Sequence, residues 1–326
     1  MSVAEMNKDG WETLGWQGIT LKVPADWNIG AIGGDRDQGY LRIDGPDMPR
    51  IEIKWASSKS FVDVSQIVEK YLGELQKKRK RGEPEVRVER DVPLVSKRQM
   101  RKKDLNCFSW RADSQGHGAA WYCPQCEHSM IVQVMAPADE DGKKLAAEII
   151  AGIQDHPRGG WITWAVYGLE MQAPEDFQLE DQKLMAGLIQ LSFEHQGEQI
   201  VGARWGMANV ALRNKSLEQW ARAEIAPLHK GIKLSFEPSE FREHPALAVS
   251  GEHANPLRRI QGFAMHCVRK SFPEYVRGIL WHCEPINKLL YVGGLFDEHH
   301  LGLCDQLAER MICHQRAEGK GQGANG

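Results

Sequence analysis

The chain has 326 residues, 42% of them apolar and 26% charged, and a formal net charge of −3 at pH 7. That profile excludes a disordered polymer, and the small net charge excludes a global field that would draw the protein onto nucleic acid or an acidic membrane. No apolar run reaches the roughly 18 residues a spanning helix needs. The length suits two domains of ordinary size, each able to bury its own core. Seven cysteines, an odd number, behind an N-terminus without a secretory pattern suit a reducing cytoplasm. The expected localisation is therefore cytoplasmic.

In chain order, residues 16–27 (WQGITLKVPADW) alternate like a half-buried strand and stop at Pro24, which has no N–H for the ladder. Asp26 suits the turn that follows. "GYLRID" and "RIEIKWA" are the next two strands, joined through Gly45-Pro46-Asp47. In residues 63–81, Val64, Ile67, Val68, Tyr71, Leu72 and Leu75 form one apolar stripe at helical spacing. Cations at its end favour the helix C-terminus, and Gly82 is placed to stop it. Strands are expected near 86–92, 103–111, 119–123 and 129–135, then a helix carrying Leu145, Ile149 and Ile153.

The same order then recurs. A shift of 150 takes Trp11 to Trp161, Gly18 to Gly168, Pro24 to Pro174, Asp26 to Asp176 and Trp55 to Trp205. A shift of 160 takes Cys107 to Cys267, Trp121 to Trp281 and Cys123 to Cys283. Trp and Cys are rare, so these coincidences predict an internal duplication with an insertion between Trp205 and Cys267. The expected fold class is α+β: two tandem copies of a mainly antiparallel sheet flanked by two helices, each β-β-β-α-β-β-β-β-α, in a pseudo-twofold arrangement. The expected boundaries are 1–156 for the first repeat, 157–160 for the linker, 161–315 for the second repeat and 316–326 for a disordered tail.

The opening strand leading into "P-A-D-W" or "P-E-D-F", the element order and the length per copy resemble the PsbP-like superfamily, DcrB-like bacterial proteins among it. The likeness covers both halves. It implies binding modules and assembly factors more than enzymes, and it implies no particular site residues.

The cysteines are the first candidate site. A hairpin turning at Gly116-His117-Gly118 would set Cys107 across from Cys123, with side chains about 4.5–5.5 Å apart at Cβ. Cys126 completes a C-x2-C knuckle and His128 follows. Cys107, Cys123, Cys126 and His128 together offer three sulfurs and a nitrogen, a composition used by structural zinc. The competing reading is a pair of small buried thiols in each core. The second copy offers His266 and His282 beside its cysteines, but neighbours on a strand face opposite ways. A redox role for Cys123 and Cys126 lacks the helix N-terminus that lowers a thiol pKa in thioredoxin-like motifs.

From Gln76 to Lys103 there are twelve Lys or Arg against four acids. Lys77, Lys78, Arg79, Lys80, Arg81, Lys102 and Lys103 are thus the candidate contacts for nucleic acid or an acidic partner. A solvated helix end is the commoner meaning, and no aromatics interleave for base stacking. Asp297 and Glu298 are expected to cap the last helix, and His299 and His300 point about 100° apart, which makes them poor co-ligands. Gly30–Gly34 precedes no helix, so it is not a phosphate cradle. With no nucleophile–base motif in view, the expectation is a non-catalytic tandem module that binds another protein, with no required cofactor. Structural zinc or redox chemistry at the cysteines and nucleic-acid contact are the alternatives, and neither a membrane nor a small-molecule substrate is indicated.

Overall fold

The computed structural model describes residues 10–59, 62–77, 84–100, 103–253 and 273–314. The chain divides between Gly159 and Gly160 into two compact units.

The first unit opens with β1 (Trp11–Trp16) and β2 (Ile19–Pro24), an antiparallel hairpin. Its turn is Gln17-Gly18, both at positive φ (51° and 85°), the pairing that lets a two-residue turn follow the twist of its strands. Then come β3 (Asn28–Gly34), β4 (Gln38–Asp44), β5 (Pro49–Ser57), α1 (Val64–Lys77), β6 (Arg87–Arg90), β7 (Asp104–Arg111), β8 (Ser114–Cys123), β9 (His128–Pro137) and α2 (Gly142–Gly152). Strands β3 to β9 form one seven-stranded antiparallel sheet in the order β3-β4-β5-β9-β8-β7-β6.

Side chains alternate across this sheet, and each face is covered differently. Val64, Val68 and Leu72 of α1 pack on Phe108, Trp110, Ala120 and Ile131. Burying each such side chain contributes about 1.5–3 kcal/mol, which holds the helix to the sheet. The other face carries Gln115, His117, Ala119, Trp121 and Cys123 of β8 and meets α2, which also packs on β2.

The second unit repeats this order. It has the hairpin β10 (Trp161–Val166) and β11 (Leu169–Pro174), turning at Tyr167-Gly168 with positive φ at both residues. Next are β12 (Gln178–Met185), β13 (Leu188–His195), β14 (Glu198–Gly206), α3 (Ala208–Ala211), α4 (Leu217–Glu224), β15 (Lys233–Phe241), β16 (His244–Glu252), β17 (Tyr275–Cys283), β18 (Lys288–Phe296) and α5 (Leu303–Glu309). The sheet order is β12-β13-β14-β18-β17-β16-β15. Ser216 and Gln219 form a reciprocal capping box at the start of α4. Trp220 of that helix meets Trp205 edge-on at a 5.0 Å centroid separation. Helix α5 packs on β11, β17 and β18.

The architecture is α+β with mainly antiparallel sheets. Five strands precede the first helix of each unit, where the sequence pattern predicts three. One reason is that Gln17-Gly18 and Tyr167-Gly168 are complete turns inside what looks like a single apolar segment. The other is that Gly30–Gly34 and residues 178–185 are edge strands, exposed on much of their length and so without an apolar alternation. The predicted turn at Gly116–Gly118 lies inside β8; the chain turns at Ala112-Asp113 instead. Gly116 and Gly118 are there because the Trp110 and Phe108 rings occupy the space of a side chain. The predicted tail 316–326 lies outside the described residues.

Candidate metal centre

Strand β8 ends at Cys123, and Cys126 sits in the tight turn that leads to β9. After α2 the chain makes an isolated bridge between Gln154 and Thr20, which brings Asp155 and His156 against that turn. Cys123, Cys126, Asp155 and His156 thereby each offer one donor atom, all within 4.8 Å of one another. Cys123 Sγ lies 3.5 Å from His156 Nδ1, and His156 Nδ1 lies 2.9 Å from Asp155 Oδ1. Hydrogen bonding between the two thiols pushes Cys123 down and Cys126 up.

Asp155 has further obligations. Its Oδ2 accepts from the Trp121 indole N–H at 2.7 Å and pairs with the Lys103 ammonium. Burial opposes its charge, but Lys103, the Trp121 N–H and His156 outweigh that and hold its carboxyl below the usual range. Both ends of the ion pair are nearly sealed, with 10% and 3% of their side chains exposed.

A second group occupies the corresponding place in the other unit. Cys283 ends β17, His244 begins β16, and Cys313-His314 follow α5 after a bridge between Ile312 and Glu170. The donor atoms of His244, Cys283, Cys313 and His314 also all lie within 4.8 Å of one another. Hydrogen bonding to Cys283 leads the influences that depress Cys313, while Cys283 is raised.

Of the four residues expected to share an ion, the structure brings together Cys123 and Cys126 only. Cys107 pairs with Ala119, four residues from Cys123 along β8 and so about 13 Å away at strand rise. Its sulfur faces the Val95 carbonyl at 4.0 Å, and burial pushes its thiol up. Both ring nitrogens of His128 are engaged by backbone carbonyls, Cys126 at 2.6 Å and Arg36 at 2.9 Å. Their places are taken by Asp155 and His156, the last two residues of the expected first repeat. A signal existed: Asp155-His156 and Cys313-His314 both follow the last helix of a unit, with a terminal histidine in each.

Cys267 and His266 lie outside the described residues, as do Lys78, Arg79, Lys80, Arg81 and Lys102. Lys77 ends α1. Lys103 is committed to Asp155 and lies 5.8 Å from the centroid of the Trp121 ring, so its charge faces the interior. Asp297 caps the short 3-10 turn Glu298–His300, and His300 Nδ1 lies 2.8 Å from Glu198 Oε2. No helix among the described residues is long and apolar enough to cross a membrane.

No family model matches the chain, and no curated protein does. Among solved structures, the immunity protein TplEi of the T6SS from Pseudomonas aeruginosa, complexed with "L" peptide, aligns over 94% of this chain and 99% of its own. The identity is 10% and the TM-score 0.31, a likeness that carries no functional inference.

Proposed function

We propose that this chain is a non-catalytic binding protein made of two copies of one α+β domain, and that its first unit is closed by a structural zinc-class ion at Cys123, Cys126, Asp155 and His156. The observation that carries the metal reading is the convergence of four donor atoms within 4.8 Å. Sulfur and imidazole donors favour zinc over hard cations, which take oxygen. An ion there cross-links the β8–β9 turn to the segment after α2, two stretches with no backbone bond between them in the ladder. Such an ion supports the fold, and function then lies on the protein surface. The shared strand order of the two seven-stranded sheets and the matched Trp and Cys positions support the duplication.

The test is zinc content of untagged protein purified under reducing conditions. Cys126→Ser and His156→Gln should each lower it by about one equivalent. Unchanged content in both folded variants would falsify the first-unit site.

A second observation favours a protein as the partner. Met185, Met207 and Val210 are 56%, 61% and 53% exposed. They gather at one end of the second unit's sheet, where Gly206 bonds Gly187 and Val210 bonds Met207. Exposed, adaptable methionines of this kind suit an apolar protein contact.

A further inference from the structure

We infer that the second unit holds its own structural zinc ion, bound by His244, Cys283, Cys313 and His314. This site uses no residue of the first-unit cluster, so the two stand or fall separately.

The four donor atoms all lie within 4.8 Å of one another, close enough to share one ion. Zinc bound at about 2.3 Å by sulfur and about 2.0–2.1 Å by nitrogen sets neighbouring sulfur and nitrogen donors about 3.6 Å apart. The sulfur–nitrogen distances are 3.2 Å from Cys283 to His314, 3.2 Å from Cys313 to His314, and 3.7 Å from Cys313 to His244. The donor atoms are Nε2 of His244 and Nδ1 of His314, on rings inclined at 70° with centroids 5.2 Å apart. Two thiolates and two neutral imidazoles cancel the charge of a divalent ion and give the S2N2 set that selects zinc.

The surroundings hold the ligands in place. His244 follows the two-residue turn Arg242-Glu243, both at positive φ (52° and 65°), a conformation uncommon for non-glycine residues. Arg242 is held: its guanidinium donates to the carbonyls of Met311 at 2.7 Å, Glu309 at 2.7 Å and Ala308 at 3.2 Å. One side chain thus ties the turn that presents His244 to the helix end that presents Cys313 and His314, as outer partners do around metal ligands. The indole N–H of Trp281 is buried without an ordinary hydrogen-bond partner and faces Cys313. A thiolate at Cys313 is placed to accept from Trp281, as the Asp155 carboxylate accepts from Trp121 in the first unit. A cavity of ≈ 670 Å³ lined by Arg242, His244, Glu284, Pro285 and His314 leads from solvent to the site, giving the ion a way in.

The experiment uses the full chain carrying Cys123→Ser and Cys126→Ser, purified untagged with reductant and zinc, so that only the second site is read. About one equivalent of zinc is expected, and cobalt in its place should give the charge-transfer and ligand-field bands of a tetrahedral S2N2 centre. Adding Cys283→Ser or His314→Gln should abolish both signals. His244→Cys, which keeps four donors, should retain the zinc and shift the cobalt bands toward a three-sulfur centre. The inference is overturned by zinc below about a tenth of an equivalent in the folded parent, by zinc that survives Cys283→Ser and His314→Gln, or by a Cys283–Cys313 disulfide in reduced preparations. If the parent does not fold, wild type and His314→Gln are compared instead: a difference of about one equivalent supports the site, and equal content overturns it.

Discussion

At the scale of single residues, the second unit carries an acid-sensitive group away from either cluster. His229 is 5% exposed, its Nε2 lies 2.7 Å from the Tyr291 hydroxyl, and burial pushes its pKa down to about 4. The folded state therefore keeps His229 neutral where the unfolded chain, with a pKa near 6.5, takes up a proton. Stability from this source is complete above about pH 6.5 and is lost progressively as the pH falls toward 4, by up to about 3 kcal/mol. His229→Gln, which keeps a partner for Tyr291, should flatten the urea midpoint over that window. A wild-type midpoint that is already level between pH 6.5 and 4 would dispose of the claim. Asp155 illustrates the opposite case, a buried charge retained because Lys103 and Trp121 answer it.

At the scale of elements, the glycines of β8 show how side-chain packing overrides local propensity. Gly116-His117-Gly118 has turn composition, yet the segment is a central strand, because Phe108 and Trp110 from β7 fold across its backbone. A methyl group on Gly118 would collide with the Phe108 ring and the Val132 carbonyl oxygen. Gly118→Ala should accordingly destabilise the first unit by about 1–3 kcal/mol, the usual cost of overpacking. Chemical denaturation checks this, and a variant as stable as wild type would mean that Phe108 has room to move aside. The stripe of α1 was legible because Val64, Val68 and Leu72 obey a period that only a helix satisfies. Edge strands β3 and β12 were not, since a strand exposed on both sides carries no alternation.

At the scale of the whole molecule, each unit has its own sheet, its own helices on the two faces and its own donor cluster after its last helix. That organisation makes room for differences between the units. The first cluster includes an aspartate already neutralised by lysine, and the second has two cysteines and two histidines. The exposed methionines belong to the second unit alone among the described residues. If they form the contact with a partner protein, Met185→Asp with Met207→Asp should remove proteins that the wild-type chain captures, at unchanged stability. Equal capture by the variant would move the contact elsewhere.

The sequence by itself determined the α+β class, the helix α1, most strands, and the recurrence of rare residues at fixed shifts, because these depend on periodicity and composition. It also singled out Cys123 and Cys126. Only the tertiary structure decided which groups join them. Asp155 and His156 meet Cys126 and Cys123 across 29 and 33 residues, His314 meets Cys283 across 31, and His244 meets Cys313 across 69. Strand register and the path of the chain after each unit's last helix bring them together, and neither is written in local spacing.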